Sequence, residues 1–238
     1  MIKAISFDLD DTLWDARPAL LRAEAAQYVW LENHAPRVAA RHTTETLRAA
    51  RMELAQRRPD IAHDFTRLRH VALAECLREH GYPDALAIPG IEVFLRARSQ
   101  VDFYDDALPA LRRLAERYTL VALTNGNADL EIAGIAVYFV ACISPAEAGV
   151  RKPDPRMFQV GLERAGVTAD EAVHVGDQPL YDIEGAHRAA MRSIWLNRDG
   201  AAWPSEYAPA TAQITSLADL EHAIAGLPQP AGDEHRSA

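Results

Sequence analysis

The feature that most constrains this chain is the run "ISFDLDDTLWD", Ile5 to Asp15. Up to Phe7 it is apolar at nearly every position, as parallel strands buried on both faces are. Asp8, Asp10 and Asp11 then fall within four residues. Like charges so close raise one another's pKa unless a cation sits between or beside them. Side chains alternate along a strand, so Asp8 and Asp10 leave on one side and Leu9 on the other. Asp11 reads as a turn-stabilising or helix-capping residue.

About eighty residues without a convincing strand follow. "RPALLRAEAAQYVWLEN" sets Leu21, Ala25 and Tyr28 on one helical face, with Pro18 suited to a first turn. "TTETLRAARMELAQRR" continues through Leu47, Ala50 and Leu54 after an N-cap at Thr43 or Thr44. "DFTRLRHVALAECLREHG" does so through Phe65, Leu68, Ala72 and Cys76, with Gly81 as its stop. A fourth helix is predicted from Gly90 to Ser99. From Asp105 onward the pattern changes to strands such as "TLVALTNGN", "YFVACIS", "AVHVGD" and "SIWLN", alternating with helices. That alternation predicts an α/β fold, a doubly wound parallel sheet with an inserted α-helical bundle. The boundaries follow: 1–15 and 101–226 for the core, 16–100 for the helical insertion and 227–238 for a flexible tail.

Such sheets bind ligands outside the carboxyl ends of their strands. The polar clusters Asp8 and Asp10, Thr124 and Asn125, Ser144, and Gly176 with Asp177 fall there. Oxygen-only ligands suit a hard cation, and Mg2+ tolerates one or two carboxylates while binding phosphate oxygens. Asp8, Asp10 and Asp177 form the candidate metal set, with Asp182 behind, where helix capping and a charge contact to Lys152 are its other readings. An aspartate against a metal can be a nucleophile, and a carboxyl two residues on can serve as acid and then base. Thr124 can offer a hydroxyl, and Asn125 and Gly126 backbone N–H groups, to the transferred group. Only Lys3 and Lys152 are lysines among 25 basic residues, which marks Lys152 as a compact counter-charge.

In these motifs the chain resembles the haloacid dehalogenase superfamily of phosphohydrolases. "DLDDT", "LTNGN", "RKPDP" and "GDQPLYD" stand in the order of its four signatures, across roughly residues 2 to 215. The resemblance implies Asp8 as nucleophile, Asp10 as acid/base, Thr124 and Lys152 at the phosphate, and Asp177 and Asp182 at the metal. It also implies a helical cap that closes over the phosphate pocket and selects the leaving group. "FDLDDTLWDARPAL", "HDFTRLR" and "LTNGNADLE" resemble, more finely, bacterial members that dephosphorylate flavin mononucleotide and 5-amino-6-(5-phosphoribitylamino)uracil. Arg17, His63 and Arg67 are the substrate-contact candidates, with Asp64 and Arg69 near them. Trp14 and Tyr104 can stack on a ring or join the core, Trp30 reads as core, and His174 as a satisfied core histidine.

The function expected is magnesium-dependent hydrolysis of a small phosphate monoester. Its rivals are another small phosphate as substrate, phosphomutase or 2-haloacid dehalogenase chemistry, a phospho-receiver-like module and an idle scaffold. Asp10 speaks against dehalogenation, since a halide leaves without a proton. A net charge of −9 argues against nucleic acid as the main partner. Residues 17–98 carry +3, with 13 Arg and no Lys, and the remainder carries −12. Most of those arginines read as a solvated face. No Walker-type phosphate loop, signal segment or long apolar run is present, so the expected setting is cytoplasmic, off the membrane, as monomer or homodimer. Cys76 and Cys142 match no metal or disulfide spacing and read as reduced thiols.

Overall fold

A computed structural model of the chain describes residues 1–228. Six parallel strands form its sheet: β1 (Ala4–Phe7), β2 (Thr119–Leu123), β3 (Ala141–Ile143), β4 (Ala172–Gly176), β5 (Arg192–Leu196) and β6 (Ala212–Ile214). Their order is β3-β2-β1-β4-β5-β6. β1 therefore lies where the winding reverses, with Phe7 opposite both Ala122 and Val175. Asp8, Thr124 and Asp177 follow directly after three adjacent strands, so they meet at one carboxyl edge. β6 escapes the sequence pattern because it is a three-residue edge strand. β3 is also shorter than predicted, since Ala136–Tyr138 forms a helical turn before it.

The insertion contains four long helices: α1 (Ala16–His34), α2 (Thr44–Arg57), α3 (Phe65–Glu79) and α4 (Ala87–Arg98). In the core, α5 (Ala107–Ala115) and α6 (Pro155–Ala165) flank the sheet. Thr43 caps α2 in a capping box, and Gly81 follows α3 with φ of 76°. The predicted face of α1 is corrected: Leu21 is 51% exposed and Ala25 is exposed. Ala16, Ala19, Ala23, Gln27 and Leu31 turn inward instead. The reason is a close approach to α4, where a side chain at Gly90 would come within 2.9 Å of the Trp30 ring. At that separation small residues fit and large ones do not. Phe65 is likewise exposed, whereas Leu68 and Cys76 are buried. α4 starts at Ala87 rather than Gly90, with Pro89 accommodated in its first turn.

Leu227, expected in the tail, is buried against the cluster that holds Leu220 and Ile224. The tail beyond residue 228 lies outside the described residues. Among the described residues no helix is long and apolar enough to cross a membrane.

Candidate active site

Asp8 continues the β1 ladder, its N–H donating to Val175 O at 2.9 Å, so its carboxyl is carried to the sheet edge while remaining buried. Lys152 reaches it from the loop before α6. Its Nζ lies 2.6 Å from Asp8 Oδ1 and 2.6 Å from Asp182 Oδ1, with the side chain almost wholly buried. A lone ammonium there would be costly, and two carboxylates offset that cost. Asn125 orients the same loop, accepting from Lys152 N at 2.8 Å and donating to Lys152 O at 3.0 Å.

Asp182 belongs to a wide π-helical turn, Pro179–Glu184, that folds its carboxyl back under the sheet edge. Gln178 N donates to Oδ2 at 2.9 Å, and His174 Nε2 lies 3.2 Å from Oδ1. A carboxylate cannot donate, so His174 Nε2 carries the proton and Nδ1 accepts from Ser6 Oγ at 2.8 Å. Gly176 leaves the room this requires, because any side chain there would overlap the Asp182 carboxyl. His174 is thus the satisfied core histidine the sequence suggests, and it also supports Asp182.

Burial opposes the charge of every member of this group. It pushes Asp8 well above the ordinary range, against the pull of Lys152. Burial and Asp182 raise Asp177 to about 7. Burial would raise Asp182 too, but Lys152 and His174 hold it low. Burial opposes the charge of Lys152, yet Asp182 and Asp8 keep it protonated. Burial lowers His174, leaving it neutral. One ammonium therefore faces three carboxyl groups, two of them pushed toward the neutral form. Ligand oxygens of Asp8, Asp177 and Asp182 lie within 4.8 Å of one another, and that deficit with an all-oxygen donor set fits a hard divalent cation. Asp182 is already engaged by Lys152, His174 and Gln178, so Asp8 and Asp177 are the oxygens left to bind it. Thr12 Oγ1 lies 3.3 Å from Asp177 Oδ1 and 3.5 Å from Asp8 Oδ2, close to the same space.

Asp10 requires a correction, for its carboxylate does not join this cluster. Arg98 Nη2 contacts both its oxygens at 2.5 Å, and Trp14 Nε1 donates to Oδ1 at 2.8 Å. Charge pairing with a buried arginine from the end of α4 draws the side chain toward the helical insertion. Nothing local in the sequence marks Arg98 as the partner of Asp10, for it is one arginine among 13 in the insertion. Trp14 is wholly buried and holds Asp10 rather than a ring. Asp11 adopts a φ of 61° and accepts from Ala16 N at 2.9 Å, the turn-stabilising part expected of it.

Two further expectations change. The Gly126 N–H donates to Thr124 Oγ1 at 2.8 Å, so the donors left at this strand end are the Asn125 N–H and the Thr124 hydroxyl. Gly126 matters for space: a side chain there would sit 2.5 Å from Asp10 Oδ2. Beside Thr124 and Gly126 opens a cleft of about 550 Å³, which the helical insertion lines with Asp64, Phe65, Thr66 and Leu95. His63 and Arg67 are not in that lining, nor are Asp8, Asp10 and Lys152, and the Arg67 and Arg17 side chains are exposed. Helix geometry explains this: Asp64 caps α3 by accepting from Arg67 N, which turns Arg67 outward while Thr66 faces Asn127 Nδ2 at 3.1 Å. Arg69 is buried over the Phe94 ring at 3.5 Å. Trp30 packs in the helical bundle, and Tyr104 lies under Arg198 in a second cleft that includes Asp177.

The chain is similar to known proteins over most of its length. The 5-amino-6-(5-phospho-D-ribitylamino)uracil phosphatase YigB of Escherichia coli (strain K12) is 32% identical over 231 residues, covering 94% of this chain and 96% of that protein. The phosphoserine phosphatase of Thermus thermophilus is 34% identical over 193 residues, 77% and 73% of the two chains. A crystal structure described as 2-haloacid dehalogenase, from Pseudomonas syringae pv. Tomato DC3000, superposes with a TM-score of 0.89 at 41% identity, covering 94% of this chain and 99% of that one. The description haloacid dehalogenase-like hydrolase matches residues 2–190. With a match of that extent, this chain belongs to the haloacid dehalogenase-like hydrolases.

Proposed function

We propose that the protein is a magnesium-dependent phosphatase that hydrolyses a small phosphate monoester through an aspartyl-phosphate on Asp8. The observation that carries this reading is the carboxyl pair itself. Asp8 sits buried between Lys152 and the Asp177 side of the cluster, while Asp10, two residues on, is held apart by Arg98 and Trp14. Asp8 Oδ1 is committed to Lys152, so Oδ2 is the oxygen that attacks phosphorus. Thr124 donates its hydroxyl to a phosphate oxygen, and Lys152 balances charge as the phosphoryl group shifts onto Asp8. Asp10 gives a proton to the leaving oxygen and then removes one from the water that cleaves the acyl phosphate. For that, one of its oxygens must part from Arg98. Mg2+ held by Asp8 and Asp177 would supply charge neutralisation at the phosphate. Asp182 acts through Lys152, keeping its ammonium protonated and aimed.

Flavin mononucleotide or 5-amino-6-(5-phosphoribitylamino)uracil is the favoured substrate, since a relative covering nearly the whole chain is named for the latter. A specific observation favours a second reading, 2-haloacid dehalogenation, because the 41% identical structure bears that description. Asp10 separates the two, for a halide needs no proton on leaving. The test is release of inorganic phosphate with Mg2+ from flavin mononucleotide, the ribitylaminouracil phosphate, sugar phosphates, phosphoglycolate and nucleoside monophosphates, run beside halide release from 2-chloropropionate. Phosphate release led by the first two compounds supports the full reading. Halide release with no phosphate from any ester overturns it.

A further inference from the structure

We propose that the helical insertion carries a second cation site, of zinc-like preference, built from His42, Cys76 and His80. Cys76 Sγ and one ring nitrogen of each histidine lie within 4.8 Å of one another. Thiolate and imidazole are the ligands of Zn2+ and its neighbours, whereas Mg2+ prefers oxygen. The carboxylate cluster at the sheet edge and this cluster therefore select different ions.

Each ligand is held in place before any ion arrives. Cys76 and His80 are four residues apart and so share one face at the end of α3. His80 Nδ1 lies 2.8 Å from Cys76 O. A carbonyl only accepts, so Nδ1 carries the proton and Nε2 keeps its lone pair for a metal. Ligating histidines are commonly oriented through their second nitrogen in this way. Arg37 Nε donates to His80 O at 2.9 Å, and the positive φ of Gly81 fixes the chain just beyond. His42 comes from the segment between α1 and α2. Its carbonyl oxygen lies 3.0 Å from the Tyr28 hydroxyl, and the capping box of Thr43 fixes the next residue. The two imidazoles meet edge to face with centroids 5.0 Å apart.

The surroundings suit a cation. Burial and the proximity of His80 lower the pKa of His42, favouring the neutral ring that ligates. Burial pushes the Cys76 thiol up to about 11, so binding an ion there releases one proton from sulfur to solvent. A cavity of about 240 Å³ touches His42 and Cys76 and is lined as well by Glu75 and Glu79, giving an entry path for the ion and for the water that completes its coordination. The arginines beside it, Arg51, Arg57 and Arg69, have acidic partners, Arg57 on Glu75 and the other two sharing Glu24 with Arg48. The bound ion ties the start of α2 to the end of α3. Cysteine spacing alone hides the site, because its ligands are one cysteine and two histidines.

The experiment titrates Co2+ into the metal-stripped full chain in the presence of excess Mg2+. A thiolate-to-cobalt absorption band should grow to saturation at one equivalent and disappear when Zn2+ is added. Cys76→Ser should abolish the band, and Cys142→Ser should keep it. His42→Ala, at a half-buried position, should keep the thiolate but weaken Co2+ binding by at least about tenfold. Circular dichroism checks that each variant is folded. Absence of the band at millimolar Co2+, its persistence in Cys76→Ser, or unchanged affinity in His42→Ala would each overturn the proposal. If Cys76→Ser does not fold, the His42→Ala affinity decides.

Discussion

The carboxyl edge of the sheet and the helical insertion use charge in opposite ways. At the edge, Lys152, Asp8 and Asp182 are almost entirely removed from water, with the lysine 2.6 Å from each carboxyl. In the insertion, Arg58–Asp60 and Arg78–Asp84 pair at the surface, where solvent screens them. The exceptions are Arg51, largely buried against Glu24, Arg69, over Phe94, and Arg98, which reaches out of the bundle to Asp10. Two of the Arg98 guanidinium nitrogens, Nε and Nη1, are buried without a hydrogen-bond partner among the described residues. The contrast teaches that charge count says little about function, while removal from water says much. A buried charge persists only where something specific balances it.

Each of the following experiments breaks or sharpens that contrast. Asp8→Asn should lower phosphate release from p-nitrophenyl phosphate by on the order of 10³ or more, measured by initial rates. Turnover close to the parent would remove the nucleophile. Lys152→Met should come next. It should abolish most activity and cost about 3–5 kcal/mol in urea unfolding, because it leaves two carboxylates facing each other in the interior. Lys3→Met, which removes only an exposed pair with Glu171, should leave both readouts unchanged. Equal, harmless effects of the two lysine changes would dissolve the contrast.

Asp10→Asn should cost about 10²–10⁴ on alkyl phosphates and much less on aryl phosphates, whose leaving groups need no proton. Equal losses on both would deny the acid role. A fourth measurement uses pH on metal-free protein. Asp177 in the folded chain has a pKa raised to about 7, above the ordinary value of about 3.9. Between those values the folded state holds a proton that the unfolded state lacks. Stability should therefore fall as pH rises through that window and level off above it. Asp177→Asn should flatten the fall. A stability that rises across the window would contradict the crowding of carboxyl groups at the sheet edge. Thr66→Ala, which removes the insertion's contact to Asn127, should have the smallest effect: a change of a few-fold in KM with kcat nearly kept. A large loss of kcat would mean that this contact orders the core site itself.

Much of this site was legible in the sequence because its parts stand at strand ends. A residue that follows a buried parallel strand has its place set by the strand, so Asp8, Thr124 and Asp177 could be put together without knowing the packing. Lys152 was legible for a related reason, since a rare residue type beside a proline marks a position with a special requirement. Asp182 was readable only as a choice between capping, pairing with Lys152 and metal contact, and the turn that bends it under the sheet brings it onto Lys152 while keeping it within 4.8 Å of the Asp8 and Asp177 oxygens. The insertion was harder. Its helices are mostly alanine, arginine and leucine, and several faces of such a helix can pack. The close approach of α1 and α4 decided in favour of the small residues.

From the chain alone came the parallel sheet, the helical insertion, the meeting of carboxylates at one edge and the single lysine that balances them. These follow from local rules, the two-residue period of strands and the burial of parallel sheets, which act over a few neighbours. Tertiary structure decided what binds Asp10, which cap residues face the cleft, and that His42 meets Cys76 and His80. Those are contacts between residues far apart in sequence. Their partners depend on how closely whole helices approach, a quantity no short stretch of sequence contains.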